Sequence, residues 1–158
     1  MSKAFKFALN NVDSLYCLIK TGILGVTVES RIHARSDVIW LVLKGNQILK
    51  IQSVVSSIDS WDEIGSLVFQ LVNDKAVIKE MERLGPDWLQ IEHIEKLVYQ
   101  DERVKAESGL AIKNKNGEEI TILSSSFPYA IEINATFHTG SFEPECDIKQ
   151  YSRLALIA

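Results

Sequence analysis

Residues 103–137 read RVKAESGLAIKNKNGEEITILSSSFPYAIEINATF, and this stretch decides the fold class. It divides into three consecutive antiparallel strands. The Asn116-Gly117 pair predicts a type I′ hairpin turn, because both central positions of that turn need φ > 0. Ile120 and Ile122 then share one face, and Ile131, Ile133, Ala135 and Phe137 resume the alternation. Phe127-Pro128-Tyr129 interrupts the run. Proline cannot donate to a ladder, so a bulge, an edge or a crossover is expected there.

Working upstream, WLQIEHIEKLVYQ (88–100) fits either period and is read as a further strand. Asp74–Leu84 is the clearest helix. Asn73 or Asp74 caps it, Val77, Met81 and Leu84 line one face with Ile78 beside them, and Gly85-Pro86 ends it. SWDEIGSLVFQLV (60–72) is ambiguous. Ser60 and Glu63 fit a capping box, but Gly65 suits a helix poorly, and Leu67, Phe69 and Leu71 alternate as a strand does. A strand from Leu67 onward is favoured. Val38–Leu43 (VIWLVL) is apolar on both faces, as in a central strand covered on both sides. Lys44-Gly45-Asn46-Gln47 reads as a hairpin turn into Ile48–Ser56. Ile23–Ala34 places Val26, Val28, Ser30 and Ile32 opposite Thr27, Glu29, Arg31 and His33, a half-buried strand. Phe5, Phe7 and Leu9 alternate over a short strand, and Asn10, Asn11 and Asp13 make a turn or cap cluster. Downstream, residues 139–150 read as a loop and YSRLALIA (151–158) as a last strand. The expected fold is α+β, mainly antiparallel sheet built from hairpins and meanders, with one or two helices.

The chain has 158 residues, the size of a single domain with one core, and no repeat or linker divides 1–158. It is 46% hydrophobic and 24% charged, an ordinary globular composition. Its net charge is −4 and its pI is about 5.4. That weighs against nucleic acid as the direct partner and suits a basic protein partner, since opposite charge speeds encounter. No run approaches the ~20 apolar residues of a membrane span. Asp13 and Lys20 interrupt what a secretory leader would need to be apolar, so a cytoplasmic protein is expected. Cys17 and Cys146 belong to no CxxC pair and read as two lone thiols of a reducing compartment.

The chemistry-bearing residues form no established motif. His33, His93 and His138 lack the spacing of a zinc site, so no metal is expected. Ser124, Ser125 and Ser126 stand outside any GxSxG elbow and read as partners for backbone groups beside Phe127-Pro128. Gly22-x-x-Gly25 is too short for a phosphate loop and marks a turn entering a strand. Glu145-x-Asp147-x-Lys149 resembles the way two carboxylates and a lysine are set around Mg²⁺ in metal-dependent nucleases. Its loop-like composition after Pro144 favours a solvated charge cluster instead.

Acidic residues interleaved with aromatics remain: Asp59, Asp62 and Glu63 around Trp61, and Glu143, Glu145 and Asp147 near Phe142. Asp101 and Glu102 form a third acidic pair. An aromatic ring can anchor an interface while carboxylates meet arginine or lysine on the partner. The plainer alternative is that Trp61 lies in the core and the acids form a solvated rim. Three functional classes follow. The leading one is a non-catalytic protein-binding module without a cofactor, most concretely a bacterial toxin-neutralising, immunity-type inhibitor that binds a basic partner. The second is a small-molecule carrier or sensor whose three tryptophans line an apolar pocket. The third is a Mg²⁺-dependent nuclease using Glu145, Asp147 and Lys149.

Overall fold

Val38–Leu43 becomes the centre of a sheet, and the rest of the architecture is laid out around it. The computed structural model describes residues 5–9, 11–28, 35–57, 63–125, 130–135, 142 and 144–157. In chain order the strands are β1 (Phe5–Phe7), β2 (Ile23–Val28), β3 (Arg35–Ser36), β4 (Ile39–Leu43), β5 (Ile48–Ser57) and β6 (Glu63–Val72). After these come β7 (Glu82–Arg83), β8 (Ile91–Gln100), β9 (Val104–Asn114), β10 (Glu119–Ser124), β11 (Ile131–Asn134) and β12 (Tyr151–Ile157). Helix α1 (Tyr16–Thr21) follows a 3-10 turn at Val12–Leu15, and α2 is Lys75–Glu80. The fold is α+β and mostly antiparallel.

Two sheets form. The smaller has the order β6-β5-β4-β2-β7, and the larger runs β12-β8-β9-β10-β11-β3, with β1 added parallel to β9. Their facing sides enclose one core. Ile39, Leu41, Leu43, Ile51, Leu67 and Phe69 on one side meet Ile94, Leu110, Ile112, Ile120, Ile122, Ile131 and Ile133 on the other, with Leu15 and Leu18 of the helical segment closing an end. The other face of β4 is covered as well. Val42 packs with Ile48 and with Val77 of α2, beside Trp40, Ile78 and Met81. This double cover is why the β4 run carries no polar alternation.

The expected meander holds over the described residues, with β9, β10 and β11 paired antiparallel in sequence order. Its first turn differs from the expected type I′. Gly117 has φ 82 but Asn116 is not among the residues with positive φ, and the Gly117 N–H donates to the Asn114 carbonyl. This is a three-residue loop with glycine in the left-handed position. The Asn114 side chain explains the choice: its Oδ1 accepts from the N–H groups of Asn116 and Glu118, both at 3.0 Å. At the other hairpin both Gly45 and Asn46 have positive φ.

Helix α2 is shorter than the expected 74–84. Asp74 caps it through the Ala76 N–H, but it ends at Glu80 because Glu82–Arg83 extends to pair with Gly25 and Val26. Ladder bonds to β2 replace the helix's last turn. A Cβ on Gly25 would stand 2.7 Å from the Glu82 carbonyl oxygen, so glycine permits that close approach. Residues 63–72 are strand throughout, paired in register with all of β5. Trp88 lies in a 3-10 turn, Pro86–Leu89, ahead of β8. The helical segment Val12–Thr21 begins within the Asn/Asp cluster read as a turn or cap, with Asn11 before its first turn and Asp13 inside it. Gly22, φ 72, then turns the chain into β2, as expected of a glycine at that place. The expectations at Ser30, Ile32, His33, Phe127-Pro128-Tyr129, Phe137 and His138 fall outside the described residues.

Candidate interaction surface

The site is built around Gly65, near the start of the edge strand β6. Its N–H donates to Glu145 Oε1 at 2.9 Å, a contact spanning eighty positions of sequence. Its carbonyl accepts from Ser108 Oγ at 2.7 Å. Beneath it lies Ser124, so close that a Cβ on Gly65 would stand 2.6 Å from the Ser124 Cβ. Ser124 Oγ in turn meets Ser53 Oγ at 3.2 Å. The glycine that weakened a helical reading of 60–72 is therefore the crossing point where the two sheets touch.

The segment carrying Glu145 is a strap over the outer face of the larger sheet. Pro144 bridges to Ser125, and the Glu145 N–H donates to the Ser124 carbonyl at 3.0 Å. The Cys146 N–H donates to the Tyr151 hydroxyl at 3.0 Å. Phe142 and Cys146 cover Leu97, Ala111, Leu123 and Tyr151, a second apolar cluster outside the main core. Asp147 caps the 3-10 turn Ile148–Gln150: its carboxylate accepts from the Lys149 N–H, while the Gln150 side chain accepts from the Asp147 N–H. Phe142, Pro144, Glu145, Cys146, Asp147 and Ile148 line a shallow hollow of about 310 Å³.

The structure thus brings Glu145 to the strand that Glu63 begins. Glu63 begins β6 and is exposed, and Glu145 reaches across to Gly65 on the same strand. Burial pushes the Glu145 carboxyl above its ordinary range. The Gly65 N–H opposes that rise, and the negative charge of Glu63 adds to it. Phe142 is half-buried and Asp147 is exposed. Asp59, Trp61, Asp62 and Glu143 lie outside the described residues.

The other candidate groups have structural partners. Glu145 accepts from the Gly65 N–H, and Asp147 caps a turn. Among the described residues no three His, Cys, Asp or Glu side chains gather closely enough to hold a metal ion. Ser124 and Ser125 are buried; the Ser124 hydroxyl meets Ser53 Oγ, and the Ser125 hydroxyl donates to the Glu132 carboxylate. Ser126 lies outside the described residues. His93 sits beside Glu95 at 3.7 Å. Asp101 is a turn residue between β8 and β9, accepting from the N–H groups of Arg103 and Val104 and from the Tyr99 hydroxyl. Those bonds hold its carboxyl below the ordinary range, the Arg103 N–H most of all. Trp88 is in the main core and Trp40 in the cluster under α2, so these two do not share a pocket. Both cysteines are free thiols, and burial pushes the Cys146 thiol up.

Two polar arrangements had escaped the sequence reading. Glu107 accepts the Leu9 N–H at 2.9 Å and pairs with Lys96, tying the segment after β1 to the larger sheet. On the outer face of that sheet Arg153 binds Glu95 and Glu119 across the strands. Each partner sits on a different strand, so no local spacing announces either contact.

Among the described residues no helix is long and apolar enough to cross a membrane. A scan against family models and searches of curated proteins and of solved structures find no match to this chain.

Proposed function

We propose that this chain is a non-catalytic, cytoplasmic protein-binding module that captures a basic protein on the acidic surface around Glu63, Phe142, Glu145 and Asp147. Its most concrete form is a bacterial immunity-type inhibitor that neutralises a toxin. The observation that supports this reading is the Glu145–Gly65 contact. It ties the segment carrying Phe142, Glu145 and Asp147 to the start of β6, where Glu63 is exposed, and so fixes that strap to a strand. Interfaces take their specificity and encounter rate from such fixed charge. The half-buried Phe142 and the exposed Ile148 supply apolar area beside the carboxylates.

The test is native isolation of the tagged chain from its own cells, with the complex weighed intact. The expected result is one stoichiometric basic protein. Its association should slow steeply as salt shortens the screening length to below ~8 Å. The double variant Glu63→Lys, Asp147→Lys should bind it at least ~10-fold more weakly. Recovery of the folded chain with no stoichiometric protein partner, or unchanged affinity in the double variant, overturns the reading.

A further inference from the structure

The ends of the two sheets are treated unequally. A sheet edge offers unpaired N–H and C=O groups to any passing strand, and proteins blunt that offer. Here β3 and β7 are two residues long. The long edge of β6 is blocked by side chains: Glu145 and Ser108 occupy the N–H and C=O of Gly65, and Asn11 Nδ2 donates to the Phe69 carbonyl at 2.9 Å. Strand β12 differs. It is seven residues long and, among the described residues, pairs with β8 on one side only. Ser152, Arg153, Leu154 and Ala155 are all exposed, and Leu154 keeps 42% of its surface in water. Its one charged side chain, Arg153, is drawn inward over the sheet to Glu95 and Glu119, so that cation does not guard the edge.

We propose that β12 is the interface of a two-fold homodimer, pairing antiparallel with the β12 of a second copy about an axis at Leu154. The charge pattern selects this occupant and this register. With the axis at Leu154, Leu154 faces Leu154 of the second copy and each Arg153 faces an alanine, Ala155. Each guanidinium stays with its own carboxylates, and the two exposed leucines cover one another. With the axis one residue earlier, two arginines stand directly opposed, which is unfavourable. The three central pairs lie in the regular part of the strand, because the register shift against β8 falls between Ala155 and Ile157. A two-fold axis makes the contact isologous and self-limiting, so it closes the edge without propagating a fibre. This proposal is independent of the acidic surface.

The experiment is sedimentation equilibrium of the wild type together with the variants Leu154→Lys and Leu154→Glu. A strand-edge contact is smaller than a standard interface of ~1,600 Å², so the wild type should pass from 17.8 kDa to twice that mass between roughly 1 µM and 1 mM. Each variant alone places like charges at the axis and should dimerise ~10-fold or more weakly. Their equimolar mixture should regain the doubled mass, because lysine then faces glutamate. Hydrogen exchange of the wild type gives a second readout that needs no variant: within residues 152–155 the alternate amides that face away from β8 should gain protection as concentration rises. A wild type that stays at monomer mass to ~1 mM, a Leu154→Lys protein that dimerises as the wild type does, or a mixture that remains monomeric each overturns the proposal.

Discussion

Gly65 and Ser124 meet where the smaller sheet crosses the larger, so tightly that one added methyl on the glycine would lie 2.6 Å from the serine Cβ. Both residues sit on strands and neither side can yield cheaply. Gly65→Ala is therefore expected to destabilise the chain by ~1–3 kcal/mol, the ordinary cost of overpacking. Gly85→Ala serves as the control. Gly85 has φ −67, and nothing lies within 4 Å of where its Cβ would be. That change should be neutral or stabilise by up to ~1 kcal/mol. Urea midpoints of the two variants measure the contrast, and equal losses would show that Gly65 is not a packing constraint.

Two carboxylates should give opposite pH dependences. Burial raises the Glu145 carboxyl in the folded chain, so between its unfolded and folded pKa the native state binds more protons. Its contribution to stability falls as pH rises through that window. The Arg153 guanidinium lowers the Glu119 carboxyl, chiefly through its hydrogen bonds. The stability from Glu119 is present above its unfolded pKa and is lost as pH falls through the lower folded value. Accordingly, Glu145→Gln should gain on the wild type as pH rises from the acid side to neutrality, since the amide oxygen can still accept the Gly65 N–H. Glu119→Gln should lose by up to ~1 kcal/mol near neutrality, and that deficit should vanish in acid. Urea midpoints across the carboxylate range check both signs.

Glu107→Ala is expected to cost ~1–3 kcal/mol, because it leaves the Leu9 N–H and the Lys96 ammonium without their shared acceptor. The damage should be local. In native-state hydrogen exchange the amides of Phe5–Leu9 should lose protection well before those of β9. Uniform loss across the larger sheet would count against a tether confined to the N-terminal segment.

Arg153→Ala probes the outer face of the larger sheet. The ion pairs with Glu95 and Glu119 are half-exposed, so the loss should stay within ~1 kcal/mol and shrink in high salt. A cost that is large and insensitive to salt would mean that the arginine acts through packing.

The strands were legible in the sequence wherever one face is buried. Ile120, Ile122, Ile131 and Ile133 alternate because every second residue enters the core, and β4 reads as continuous because α2 covers its far side. Misreadings arose where distant pairing overrides local preference. Met81–Arg83 carries helical spacing but is drawn into a ladder with β2. Asn116 suits a type I′ turn, but the Asn114 side chain stabilises a longer loop. The candidate surface was half-legible. The acidic clusters were visible in composition, whereas the meeting of Glu145 with β6 depends on Gly65, which binds a residue eighty positions away and leaves no local trace.

The parallel addition of β1 to β9 sets an order on assembly. Phe5–Phe7 pairs with Val104–Ala106, so this strand finds its place only after about a hundred further residues have been made. At the ~5–20 residues per second of synthesis, that wait is on the order of 10 s. Throughout it the Phe5 and Phe7 rings, stacked on each other in the finished protein, have no sheet to join. The nascent chain thus carries two unpaired aromatic rings for that whole interval, and chaperone demand should peak before residue 106 emerges.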